Sequence, residues 1–163
     1  MKAVTRCPVC GMDADDSSIC AEHSGITYHF CMPQCRENFL ARPLLYIGNR
    51  AAKRTGREII KRRIFTIEQA MGGMHAEALM MALNQLMSVK NISIEGDRIA
   101  IDYNLLEVHA GQIEAALLEA GASMGTGWSE RLKRGWIHYV EDNELDNLVA
   151  SESACCNKAP GKA

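Results

Sequence analysis

No stretch of this sequence approaches the ~20 consecutive apolar residues that cross a bilayer, so membrane insertion is not expected. The N-terminus has Lys2 and Arg6 and then cysteines, with no apolar segment between them. That is not the pattern of a secretory signal, and a reducing cytoplasm is the expected compartment. Signatures of catalysis are also missing. There is no recognisable nucleophile–base motif, no acid pair in a credible cleft and no phosphate-binding glycine loop. The segment "MGGMH", residues 71–75, has glycines but lacks the pattern and the basic residue of a P-loop. An enzyme is therefore not expected. No recognition-helix motif is present either. The basic run "RAAKRTGREIIKRR", residues 50–63, contains no aromatic residue on which a base could stack. Nucleic acid is accordingly not the expected partner.

What is present divides the chain. Its 163 residues suffice for one medium domain or two small ones. Residues 1–48 carry four bases against five acids, whereas residues 49–63 carry seven bases against Glu58 alone. Residues 64–163 reverse the balance, with seven bases against fourteen acids. The basic run is thus a seam between two differently composed pieces, and it could fold against the acidic second piece. The expected divisions are a cysteine-rich domain at 1–48, a basic linker or helix at 49–63, a domain at 64–127, a helical extension at 128–150 and a disordered tail at 151–163.

The expected class is α+β. In the first piece "GITYHF" reads as a short strand with Tyr28 and Phe30 on one face, and "PQCRENFLA" as a helix with Pro33 in its first turn. In the second, "RIFTIEQA" alternates as a strand. "HAEALMMALNQLMS" follows as a helix with an apolar face at Leu79, Leu83, Leu86 and Met87. "VKNISIEGDRIAIDYN" is two alternating runs about a turn, a hairpin. "LEVHAGQIEAALLEAG" is a second amphipathic helix ending near Gly121, and "ASMGTGW" could supply a last strand. The order β-α-β-β-α-β is that of a ferredoxin-like domain. Trp128, Leu132, Trp136 and Tyr139 then recur at helical spacing, either packing back on the domain or making a partner surface.

The chemistry lies in the cysteines. Cys7 and Cys10 form C-x2-C, Cys31 and Cys35 form C-x3-C, and twenty residues separate the pairs. Two such pairs can close a tetrahedral thiolate cage, with metal–sulfur distances of ~2.3 Å for zinc. Soft thiolates also suit Cu+ and similar ions. A domain of about 45 residues buries too little apolar surface to fold securely alone, so a metal is the obvious staple. Cys20 and His23, in "ICAEHSG", are the competing ligands. His29 alternates with Tyr28 and should face the other way.

"CPVCGM" and "YHFCMPQCRENFLARPLLY" together resemble a YHS/TRASH-type metal-binding domain over about residues 5–47. The resemblance implies Cys10, Cys31 and Cys35 as ligands and zinc, copper or another heavy metal as the ion. Cys7 is additional to that pattern and points to a fourth thiolate and to Zn2+. The stretch from about residue 63 to 125 resembles a heavy-metal-associated (HMA) domain, whose "GM-x-C-x2-C" loop binds soft metals. Here Gly73, Met74 and His75 match the start of that loop, but Ala76 and Leu79 stand at the cysteine positions. The resemblance implies the fold without its thiolate site. Met71, Met74 and His75 could attract Cu+ through thioether and imidazole, although methionine is more often core filler.

The expected function is cytoplasmic handling, homeostasis or resistance involving zinc or copper. The N-terminal thiolates hold the ion. The degenerate domain docks to a transporter or other partner protein, or forms a homo-oligomer. A structural zinc-knuckle interaction protein is the alternative, and a nucleic-acid-binding regulator ranks last. Cys155 and Cys156, adjacent in the tail, make a poor chelate alone but could pass a soft ion onward by thiolate exchange.

Overall fold

The computed structural model describes residues 5–14, 18–48, 51, 56–68, 73–86 and 88–153. They form an α+β structure in two compact units. The first takes the described residues up to Arg57 and those from Asp142 onward; the second runs from Glu58 to Glu141.

In the first unit, Thr5–Ala14 folds back on itself, with Ala14 N–H donating to Thr5 O at 2.7 Å and Cys7 N–H to Met12 O at 2.8 Å. Strands β1 (Cys20–His23) and β2 (Ile26–His29) pair antiparallel, Cys20 opposite His29 and His23 opposite Ile26. The two-residue turn between them puts both Ser24 and Gly25 at positive φ, 52° and 76°. That backbone matches the twist of the flanking strands. Helix α1 (Pro33–Ala41) opens with proline, whose missing N–H is harmless in a first turn. A 3-10 turn at Pro43–Leu45 follows. Val9, Phe30, Cys35, Phe39 and Leu45 are fully buried. Tyr28 and Phe30 both lie against Phe39, with ring centroids 4.9 and 5.1 Å away, so the expected shared face is observed. Where α1 ends, Arg42 contacts Asp146 at 2.6 Å and Asp142 at 3.0 Å.

The second unit holds β3 (Ile60–Thr66), α2 (Gly73–Gln85), β4 (Val89–Glu95), β5 (Arg98–Asn104) and α3 (Ala110–Glu119). The strands make an antiparallel sheet in the order β3-β5-β4. Alternation along β5 buries Ile99, Ile101 and Tyr103, and the helices bury Leu79, Leu83, Ile113 and Leu117. Each such side chain contributes roughly 1.5–3 kcal/mol on leaving water. Gly121, at φ 88°, follows α3 where a left-handed residue ends a helix. β3 takes in Lys61, Arg62 and Arg63, so this end of the basic run is strand rather than helix. Arg62 and Arg63 reach acids within the unit, Asp102 at 3.8 Å and Glu141 at 3.3 Å. The last expected strand is reduced to one bridge, Met124 with Ile67, beside Glu68 N–H donating to Ser123 O at 2.7 Å. Two glycines, Gly125 and Gly127, follow it immediately, and glycine weakens a strand. Met71, Met87, Arg50, Lys53 and Arg54 lie outside the described residues, as do the side chain of Met74 and the tail with Cys155 and Cys156.

Helix α4 spans Trp128–Ser153. Its aromatic stripe does not pack back: Trp128 is 80% exposed, Leu132 59%, Trp136 65% and Tyr139 60%. The inward face is the opposite one. Glu141 is buried, and it follows Leu132 by nine residues, two and a half helical turns. Tyr103 donates its hydroxyl hydrogen to one carboxylate oxygen of Glu141, which Arg63 also meets, and Ala110 N–H donates to the other at 2.8 Å. Burying that acid is tolerable because every side of it is met. Among the described residues, no helix is long and apolar enough to cross a membrane.

Candidate metal centre

The two cysteine pairs sit on different local structures. Cys7 and Cys10 belong to the Thr5–Ala14 turn, where Gly11 N–H donates to Cys7 O at 2.9 Å. Gly11 has φ 81°, a backbone that glycine adopts without strain. Cys31 lies just before α1, and Cys35 is in its first turn. Cys35 and Phe39 are one helical turn apart and both fully buried, so the helix side that carries the thiol also carries the aromatic core.

The four sulfur atoms all lie within 4.8 Å of one another. Cys10 Sγ is 3.3 Å from Cys31 Sγ, and Cys31 Sγ is 3.7 Å from Cys35 Sγ. Disulfide bonding would need about 2.05 Å, and these five described cysteines, Cys20 included, are free thiols. A tetrahedron of sulfurs about 2.3 Å from a central ion has edges of about 3.8 Å. The observed separations bracket that length. The donor set therefore fits a metal ion that prefers four thiolates. Cys7 and Cys35 are buried, and Cys10 and Cys31 are half-buried.

Packed thiols without a cation cannot all ionise together. Hydrogen bonds from Cys10 and then Cys35 hold Cys7 far below the ordinary thiol value. Cys10 is drawn down by Cys35, but Cys7 and burial outweigh that and push it up to about 12. Cys35 is raised by its hydrogen bonds to Cys10 and Cys7 and then by burial. One thiolate therefore stands ready, while neighbouring thiols keep their protons until a cation displaces them. Burial pushes the Tyr46 phenol up as well, which keeps it neutral beside the cluster.

The competing ligands lie elsewhere. Neither Cys20 nor His23 belongs to the cluster. His23 lies edge-on to Phe39, with centroids 6.1 Å apart. Cys20 faces His29 across the hairpin. In the second unit, His75 is an exposed residue inside α2, and Leu79, at a cysteine position of the resembled loop, is buried core. Among the described residues no further metal-ligating cluster exists. The buried Glu141 carries no signal in the sequence, since an acid on a helix normally reads as solvated.

No family model, curated protein or solved structure matches this chain.

Proposed function

We propose that this chain is a metal-binding protein for zinc or copper handling, homeostasis or resistance, with the ion held by Cys7, Cys10, Cys31 and Cys35. The convergence of four sulfurs within 4.8 Å carries this reading. Zn2+ is favoured over Cu+, because a complete tetrahedron of thiolates is the shell zinc prefers. The first unit is read as a YHS/TRASH-like domain. The strand order β3-β5-β4, with a remnant bridge at Met124, supports a ferredoxin-like, degenerate HMA-type second unit. That unit, without cysteines at positions 76 and 79, serves docking to a partner protein or self-assembly. Four thiolates leave no open position for a substrate water, which argues against catalysis. Reduced thiols held this close suit a cytoplasmic setting.

The burial of Cys7 and Cys35 favours a second reading, a structural zinc knuckle from which the ion never leaves. The half-buried Cys10 and Cys31 favour exchange. Elemental analysis of protein purified without added metal, with thiols counted before and after chelation, tests both. About one ion per chain that protects four thiols is expected. Full metal content in the Cys31→Ser, Cys35→Ser double variant would refute the assignment. Fast exchange with a chelator supports handling; slow loss accompanied by unfolding supports the knuckle.

A further inference from the structure

Among the described residues, the aromatic side of α4 is left largely exposed. Trp128, Leu132, Trp136 and Tyr139 stand on one edge of the helix, 59–80% exposed. Gly135 lies on the same edge. A side chain there would meet nothing within 4 Å, so packing inside the chain does not require glycine. Glycine inside a helix nevertheless costs about 1 kcal/mol relative to alanine. Its use is explained when another backbone approaches closely at that point.

We propose that this edge of α4 pairs antiparallel with the same edge of a second copy of the chain. The area is sufficient. With aromatic side chains of ~150–250 Å2 each, the four exposed residues offer about 500 Å2 per copy. Two copies would bury about 1,000 Å2, the lower bound for a specific interface. Charge sets the direction. Exposed Arg131 and Lys133 flank the first half of the ridge, and Asp142, 61% exposed, lies just beyond its end. Antiparallel pairing brings Arg131 toward the partner's Asp142, which pairs with Arg42 of its own chain and still keeps 61% of its side chain exposed, whereas parallel pairing would align Arg131 and Lys133 with their own copies. Such an interface is isologous and closes as a dimer.

This inference names the partner of the assembly role given above and does not depend on metal at the cysteines. Sedimentation equilibrium of the full, reduced chain across a concentration series tests it, with metal content read in each sample. A reversible monomer–dimer equilibrium is expected. Leu132→Glu should weaken it about tenfold or more, with helix content and metal content unchanged. Gly135→Leu is the sharper variant: it should raise the stability of the helix yet weaken the dimer, a combination that a merely structural glycine would not give. A chain that stays monomeric throughout overturns the proposal. So does a dimer that neither variant weakens, or a monomer that binds anionic vesicles through the ridge. A dimer that forms with no metal bound leaves the interface standing and counts against the metal reading alone.

Discussion

Cys10 Sγ lies 3.3 Å from Cys31 Sγ although twenty-one positions separate them in the chain. Only a folded first unit brings these two atoms together, so a metal ion held by the four sulfurs would couple its affinity to the folding of that unit. If four thiolates share the ~10–16 kcal/mol of a structural zinc site, each carries about 3 kcal/mol. Cys10→Ser and Cys31→Ser should each weaken zinc binding by about a hundredfold or more. Cys20→Ser should leave affinity unchanged. Competition titration against a chromophoric chelator measures this, and equal losses in all three variants would count against the four-cysteine site.

Acid should work against the site. Cys10 is pushed up to about 12 and Cys35 is raised too, so both hold protons at neutral pH without metal. An ion that takes the cluster must displace at least the protons of Cys10 and Cys35, and apparent affinity should fall by about a hundredfold or more per pH unit on acidification. Alkali acts on the metal-free protein instead. Because the folded-state value for Cys10 is raised above the ordinary 9.0, its contribution to stability is full below pH 9.0 and is lost as pH rises toward 12. Zinc titrations at several pH values and alkaline unfolding of the metal-free chain measure the two effects. An affinity flat with pH would sink the first.

The buried Glu141 should dominate the stability of the second unit. Glu141→Ala strands Arg63, Tyr103 and the Ala110 N–H, and should cost about 3–5 kcal/mol. Tyr103→Phe removes one donor and should cost about 1–2 kcal/mol. Burial and then the Glu141 hydrogen bond push the Tyr103 phenol up, so it remains a donor across the neutral range. Urea unfolding followed by circular dichroism distinguishes the two, and an E141A as stable as Y103F would show that the network is not essential.

Several of these features can be seen in the amino-acid sequence and others cannot, for physical reasons. The cage is legible because C-x2-C and C-x3-C have few other uses in a reducing setting, and all four thiols converge as the spacing suggests. The β4–β5 hairpin is legible because alternation and a Gly-Asp turn agree. The periodicity of Trp128, Leu132, Trp136 and Tyr139 correctly marks one edge of a helix, but periodicity does not say which edge faces inward. On α4 the inward side carries Glu141, whose partners come from Arg63, Tyr103 and Ala110, far away in the sequence. Cys20 and His23 compete as ligands in the sequence because they lie between the two cysteine pairs, yet neither joins the cluster. The turn at Ser24 and Gly25 sets the register that puts His29 opposite Cys20. A last strand at "ASMGTGW" would complete the ferredoxin-like order, yet only Met124 bridges.

Arg42 offers a modest test of the first unit. Its guanidinium joins the end of α1 to Asp142 and Asp146, whose side chains are 61% and 63% exposed. Solvent screens such pairs, so Arg42→Ala should cost only about 0.5–1 kcal/mol and less at high salt. Thermal unfolding of the metal-loaded chain at low and high ionic strength measures this. A larger, salt-independent loss would mean that the arginine acts through packing of its stem.

The long separation of Cys10 and Cys31 also has a consequence in polymer terms. An ion bound at the cage ties off a loop of about twenty residues and removes from the unfolded ensemble roughly the ~3 kcal/mol of chain entropy that a covalent crosslink of similar span would. Unlike a disulfide, this tie needs no oxidant. Its strength follows free metal concentration through mass action, adding about 1.4 kcal/mol for each tenfold rise once the site is filled. With an ion bound there, the stability of the first unit would rise and fall with the surrounding metal supply.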